Sequence, residues 1–336
     1  MFNKTAPKSL KDTFEADVFD WFSRTRAGHM EQYQYLEPIY ANDPVRGSKL
    51  WNAWEAVAPE DNMLKRQGQI IEEQVQDMVA MTKPRRTLVD LGTGGLNAFI
   101  RNTIPFITAY EDDLDRIISV DVSKEAAHSP DVHLQSSHPK LKFYGVHDDF
   151  LRSGLSLPLN GRTVVLFMGG TIGNIEADQK APNPLELMAA RIGQLKQNFP
   201  AGTVVFIGLE ATQSEKILYG DYNHPAHAEF EINIMHGIKR DVLPDEDGFD
   251  PEGWKYAMKW WPESYQFCHL AEATRAQTFS MRGRDFAFEK GDQLVIDNSF
   301  KFPVLAMQRS AQMTGTRYIK PFADKDGRMV IHGLEL

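Results

Sequence analysis

The residues best placed to do chemistry stand at the ends of short apolar runs, in a fixed order along the chain. The first run, 88–91, leads through Asp90 into Gly92, Gly94 and Gly95, and a helix is predicted from Asn97. A strand that turns on glycines into a helix aims backbone N–H groups and a helix N-terminus at a ligand. Glycine serves there because a Cβ would block the approach or the dihedral. The dinucleotide pattern G-x-G-x-x-G is not met, since its third glycine position holds Asn97. Asp121 ends the second run, 117–120, where a carboxylate can accept from both hydroxyls of a ribose and repels a phosphate. Asp149 and Phe150 follow the third, 141–146, and suit an adenine: a carboxylate for the exocyclic amine and a ring beside the purine. Gly169-Gly-Thr-Ile-Gly-Asn174 follows the fourth, 163–168. Its glycines let the backbone approach two ligands at once. Thr171 and Asn174 add polar side chains, and Asn174 both donates and accepts. Each of these residues also has a plainer use as a helix cap or turn former. Their joint order and spacing favour a nucleoside-binding crevice.

Other polar groups point less far. His224 and His227, with Asp221, form a weak metal-like cluster; two histidines without a third clear ligand read as loop residues, and no metal is expected. His128, His133 and His138 read as solvent-facing in a polar loop. No Ser/His/Asp or Cys/His arrangement is evident, and Cys268, the single cysteine, reads as a small half-buried apolar residue.

The elements that must carry these residues alternate. A helix is predicted over 63–81 from Ile70, Ile71, Val75, Met78 and Val79, ending before Pro84. Strands at 88–91, 117–120, 141–146, 163–168 and 203–209 follow, with a helix over 184–199. Strands alternating with helices imply an α/β fold with a mostly parallel sheet, whose ligands sit at the carboxyl ends of the strands. Ser48 is placed as the cap of a helix starting at Lys49. The stretch 211–290 reads as loop-rich and aromatic, and alternation returns at 293–302, with 329–332 pairing beside it. The expected division is a core of 63–210 and 291–336, and a second lobe of 1–62 and 211–290.

The chain of 336 residues is long enough for two compact units. A net charge of −9 with no basic block argues against nucleic acid as the main partner. The opening lacks the continuous apolar segment of a secretory leader, and no run approaches the roughly 18 apolar residues of a membrane span. One cysteine excludes internal disulfides and fits a reducing cytoplasm.

Taken together these residues resemble the histidine-specific Nα-methyltransferase family, the S-adenosylmethionine (SAM) enzymes of ergothioneine biosynthesis, which also includes dimethylallyltryptophan N-methyltransferases. The matching segments are Arg46-Gly-Ser-Lys-Leu-Trp51, Asp90-Leu-Gly-Thr-Gly94, Asp121, Asp149-Phe150, Leu166-Phe-Met-Gly-Gly-Thr-Ile-Gly-Asn174, Phe249-Asp-Pro251, Arg275-Ala-Gln-Thr278 and Asp297-Asn-Ser-Phe-Lys-Phe302. The resemblance implies a class I SAM-dependent methyltransferase core, Rossmann-like, with an added lobe that forms the amino-acid pocket. It implies SAM contacts from Tyr40, Gly92, Gly94, Asp121, Asp149, Phe150 and Gly169. Asn174 and Tyr222 (or Tyr219) would hold the substrate's amino-acid head, Thr171 would lie near the amine, and Asp297 and Ser299 would grip the side chain.

Three departures fall on the side-chain half of that pocket. Asp297 stands where the histidine enzymes carry Glu, Glu60-Asp-Asn-Met63 replaces a tyrosine that contacts substrate, and His269 occupies a methionine position. They point to another amino acid or derivative: histidine-like, arginine or a tryptophan derivative. The expected activity is therefore N-methylation of a small-molecule amino acid, with Asn174, Tyr222 and Thr171 positioning the groups. The rival readings are an NAD(P)-dependent oxidoreductase and a catalytically silent SAM-binding protein. The oligomeric state is not readable.

Overall fold

The computed structural model describes residues 10–24, 30–110, 113–150, 154–177 and 181–336, so the opening stretch 1–9, read above as no secretory leader, lies outside them. Two compact units divide the chain: 60–173, 183–213 and 301–336 form a core unit, and 1–59, 174–182 and 214–300 form a second unit.

The core unit is built on seven strands. In chain order these are β1 (Thr87–Leu91), β2 (Arg116–Asp121), β3 (Lys142–His147), β4 (Thr163–Phe167), β5 (Val204–Glu210), β11 (Arg317–Ala323) and β12 (Met329–Glu335). Their spatial order is β11-β12-β5-β4-β1-β2-β3. The first five run parallel, whereas β12 is antiparallel to both β5 and β11. This is a Rossmann-like, mostly parallel sheet, and the strand order reverses between β1 and β4, where such sheets bind ligands. Strands β1, β4 and β5 are buried at every position, which is why they read as largely apolar runs. Helix α3 (Met63–Ala80) lays Ile70, Ile71, Val75, Met78 and Val79 on the sheet beside Leu88, Ile117, Leu166 and Phe206. Asn62 caps it, accepting from Lys65 N at 3.0 Å. On α8 (Pro184–Asn198) and α11 (Val304–Met313), Ser310 Oγ donates to Leu185 O at 3.0 Å and joins the two helices.

The second unit carries an antiparallel sheet ordered β10-β7-β6, from β6 (Trp254–Trp261), β7 (Gln266–Ala273) and β10 (Gln293–Phe300), with a hairpin of β8 (Gln277–Met281) and β9 (Arg284–Phe288). Its core joins α1 (Leu10–Phe22), through Phe14, Val18, Trp21 and Phe22, to Ile234, Met235 and Ile238 of α10 (Pro225–Asp241) and to Phe279, Phe286 and Phe288. Trp21 Nε1 donates to Val295 O at 2.7 Å, tying the N-terminal helix to β10.

Several expectations need correcting. The stretch 211–290 is not loop-rich; it holds α9 (Glu215–Tyr222), α10 and β6 to β9. Strand β10 pairs with β7 in the second unit, and 329–332 pair with β5 and β11 instead of beside it. The unit boundaries shift with them, since 174–182 and 291–300 belong to the second unit. Ser48 is the first residue of α2 (Ser48–Val57), not its cap, and its hydroxyl donates to Glu37 Oε1 at 2.5 Å. His128, His133 and His138 lie on or just after two short helices, α6 (Lys124–His128) and α7 (Asp131–Ser137), in place of a loop.

Candidate active site

In the core unit the predicted cofactor residues lie at the carboxyl ends of β1, β2, β3 and β4. Asp121 is buried and holds the glycine turn directly: Oδ2 accepts from Gly94 N at 2.9 Å and Oδ1 from Ser123 N at 2.8 Å. Each carboxylate oxygen has a second lone pair, so the group retains acceptor capacity for a diol. Burial pushes its pKa above the ordinary carboxylate value, against the pull of those two amides. Beneath it, Thr93 Oγ1 and Ser119 Oγ meet at 2.5 Å.

Gly92 stands with φ +70°, and a Cβ there would lie 3.5 Å from Phe150 Cζ and 3.7 Å from Thr171 Oγ1. Gly92, Phe150 and Thr171 therefore converge on one cradle, contributed by three different strand ends. A side chain at 92 would fill space between them, and its absence fits a nucleoside laid over the turn. Phe150 is buried with its ring set edge-on to Phe167 at 5.2 Å, so part of its role is packing. Asp149 is half-buried, and its N–H donates to Asp148 Oδ1 at 2.8 Å.

One buried residue that sequence reasoning passed over links this cradle to its support. Gln67 of α3 accepts from Gly169 N at 2.9 Å through Oε1 and donates to Asn102 Oδ1 at 3.1 Å. It reaches Gly169 only because residue 208 is glycine: a Cβ there would fall 2.0 Å from Gln67 Oε1. A polar residue inside the apolar stripe of 63–81 was the available signal.

Asp90 has a different character from Asp121. It is fully enclosed, and its Oδ2 accepts from Thr103 Oγ1 at 2.7 Å. Burial pushes its carboxyl up to about 7; the Thr103 hydroxyl opposes that shift and the Asp121 charge adds to it. The native state thus binds this proton more tightly than the unfolded chain does. The stability it confers is present below the ordinary carboxylate pKa and is lost as pH rises toward 7. Asp90→Asn keeps an acceptor for Thr103 and removes the titration. It is expected to raise stability at pH 8 by as much as roughly 4 kcal/mol, the gain shrinking as pH falls toward 4. Urea unfolding across that range checks this, and a pH-independent effect would refute it.

The predicted amino-acid residues gather in the second unit. Asn174 forms an isolated antiparallel bridge with Ser299 of β10. Asp297, two residues earlier on that strand, lies directly opposite His269 of β7. Cross-strand partners share a face, so Asp297, Ser299, His269 and Phe267 line one side of the sheet. Tyr222, the last residue of α9, covers that side: it stacks on Phe267 at 5.1 Å and meets His269 edge-on at 5.2 Å. Tyr219, the alternative, packs edge-on against Phe267 and donates to Met258 O at 3.3 Å. Tyr222 is therefore the better match to the position beside His269. Thr171 belongs to the core unit, and the chain passes from one unit to the other between Gly173 and Asn174. Tyr40, expected over the cofactor, belongs to the second unit and is 53% exposed on a turn before α2.

Asn298 was also missed, although it anchors this arrangement. It is fully buried; its Nδ2 donates to Ala177 O at 2.9 Å, and its Oδ1 accepts from Gln266 Nε2 at 2.8 Å and Cys268 Sγ at 3.2 Å. It thereby pins the segment that begins at Asn174. The Cys268 thiol is buried, and burial raises its pKa to about 12, which makes it inert, as read from the sequence. Among the described residues no helix is long and apolar enough to cross a membrane.

Comparison with known proteins gives the family. A histidine N-alpha-methyltransferase of Mycolicibacterium smegmatis is 25% identical over 306 residues, 89% of this chain and 88% of its own. An uncharacterized protein, y4iF, of Sinorhizobium fredii is 24% identical over 252 residues, 74% of this chain and 80% of its own. The N-methyltransferase fsqC of Aspergillus fumigatus is 23% identical over 267 residues, 77% of this chain and 68% of its own. The family model described as histidine-specific, SAM-dependent methyltransferase matches residues 17–336, nearly the whole described chain. SAM, not a nicotinamide dinucleotide, is thereby the cofactor. The chain belongs to the histidine-specific, SAM-dependent methyltransferase family.

Proposed function

We propose that this methyltransferase acts on a nitrogen of an amino acid or amino-acid derivative, with the core unit holding SAM and the second unit holding the acceptor. The observation that carries the reading is the assembly of Asn174, Ser299, Asp297, His269 and Tyr222 on one side of a single sheet. Relatives named for histidine N-alpha-methylation and for N-methylation support the class of acceptor.

SAM, when bound, would supply an electrophilic methyl group on a sulfonium whose leaving group is a neutral thioether, so no acid is needed to assist its departure. What remains for the protein is alignment and delivery of an unprotonated amine. Asn174 offers both a donor and an acceptor to an amino-acid head, and Tyr222 of the same unit adds a hydroxyl; Thr171 offers one in the core unit. The enclosing Phe267, Tyr222 and His269 rings exclude water, which lowers an amine's pKa and favours its free-base form. Asp297 and Ser299 read the acceptor's side chain. A buried carboxylate there suits a cationic or N–H-bearing group: histidine-like, arginine or an indole derivative.

A mass-spectrometric screen of amino acids with SAM tests this: one of those side-chain classes should gain methyl groups. No methylation of any amine would leave a silent SAM-binding protein. Asn174→Ala is expected to lower kcat/KM about 100-fold or more, while adenosylhomocysteine binding stays near wild type. Asp297→Ala should shift the ranking among side chains, and an unchanged ranking would remove it from this role.

A further inference from the structure

We propose that His227, Glu231 and His269 form a binding site for one divalent transition-metal ion of the zinc class. His227 and Glu231 stand four residues apart on α10 and share a face; His269 comes from β7. All three are buried, and one donor atom of each lies within 4.8 Å of the others. The geometry is closer than that bound. His227 Nε2 is 3.4 Å and His269 Nδ1 is 3.5 Å from the same oxygen, Glu231 Oε1. Two ligands of a tetrahedral ion with bonds of about 2.0–2.1 Å stand roughly 3.3–3.4 Å apart. Two of the three edges, those that meet at Glu231 Oε1, are therefore already close to the length that a shared ion imposes, and the third lies within 4.8 Å.

The donor set decides the class of metal. Two imidazoles and one carboxylate suit zinc and its neighbours, whereas calcium and magnesium require mostly oxygen. Supporting groups are in place. Gln34 Nε2 donates to the other carboxylate oxygen of Glu231, which turns Oε1 toward the imidazoles, and Gln34 O in turn accepts from Asn233 Nδ2 at 2.9 Å. Hydrogen-bonded ligands of this kind raise affinity and fix orientation. Tyr256 Oη lies 2.6 Å from His269 Nδ1, so a hydroxyl oxygen stands beside the fourth position. An ion enclosed in this way is structural: it fastens α10 to β7 and sets the ring of His269, which faces Asp297 across the sheet.

The sequence pairing of His227 with His224 and Asp221 is not the site. His224 caps α10, its Nδ1 accepting from Ala226 N at 3.2 Å.

Untagged, metal-stripped protein titrated with cobalt(II) and zinc(II) tests the proposal. The expected result is one equivalent of zinc bound with sub-micromolar affinity, intense visible cobalt bands of a four-coordinate site, and a raised melting temperature. Glu231→Gln and His227→Asn should each weaken zinc at least 100-fold, with circular dichroism confirming that they fold. Cobalt spectra that stay those of the hydrated ion overturn the proposal on the wild-type protein alone. So does zinc uptake that the folded variants retain, which would place the ion elsewhere. In either case His227, Glu231 and His269 form a hydrogen-bonded network without an ion.

Discussion

Lys301→Ala is expected to destabilise the protein by about 3–5 kcal/mol. Lys301 Nζ stands 3.0 Å from Glu210 Oε2 inside the core unit, and the two side chains are 1% and 3% exposed. Neither charge has water to fall back on. Truncating the lysine strands an anion at the carboxyl end of β5, and its uncompensated desolvation dominates the cost. The backbone there is held independently of the side chain, because Gln213 Nε2 donates to Lys301 O at 2.7 Å and the substitution keeps that carbonyl. The double replacement Glu210→Leu with Lys301→Met removes both charges and should recover most of the loss. Urea unfolding of the single and double variants separates the terms. A single-variant loss below about 1 kcal/mol would mean that water or another cation compensates Glu210. The Ser-Phe-Lys-Phe segment that marks the family resemblance thus has a physical reason for its lysine.

Asp121→Ala is expected to weaken adenosylhomocysteine binding by 100-fold or more. Its carboxylate accepts from Gly94 N and Ser123 N, so the substitution leaves a half-buried and a buried amide without their acceptor and frees the glycine turn. Hydrogen bonds to a charged group contribute about 1.5–3 kcal/mol each, and losing a ribose contact as well brings the sum past two decades of affinity. Asp121→Asn keeps one acceptor oxygen and should fall between the two. Isothermal titration with adenosylhomocysteine gives the ranking. An Asp121→Ala affinity within threefold of wild type would place the nucleoside elsewhere.

Much of the core was legible because its signals are local. Strands β1, β4 and β5 are buried on both faces, so apart from Asp90 and Glu210 their residues are apolar or small, and the runs stand out without knowledge of their neighbours. The glycine turn, Asp121 and Thr171 followed from their positions at strand ends. The second unit was harder. Strand β6, Trp254-Lys-Tyr-Ala-Met-Lys-Trp-Trp261, places aromatics and lysines in a weak alternation that reads as loop until β7 pairs along its whole length. The apolar stripe of α10, Phe230, Ile234, Met235 and Ile238, was present but was overlooked among flanking turns. Strand β10 went to the wrong sheet because its alternation shows only that one face is buried, not which sheet buries it.

The polar interior divides the two sources of information most sharply. By itself the amino-acid sequence determined the parallel sheet, the glycine turn, the acidic strand ends and the family, because backbone periodicity and turn chemistry act over a few neighbouring residues. Only the tertiary structure decided that Gln67 holds Gly169 across 102 residues, that Asn298 holds Ala177 across 121, and that Lys301 meets Glu210. It also decided that His227 joins Glu231 and His269, and not its neighbour His224. A polar group removed from water must find its partner wherever the fold brings one within about 3 Å, and that choice is made in space, not along the chain.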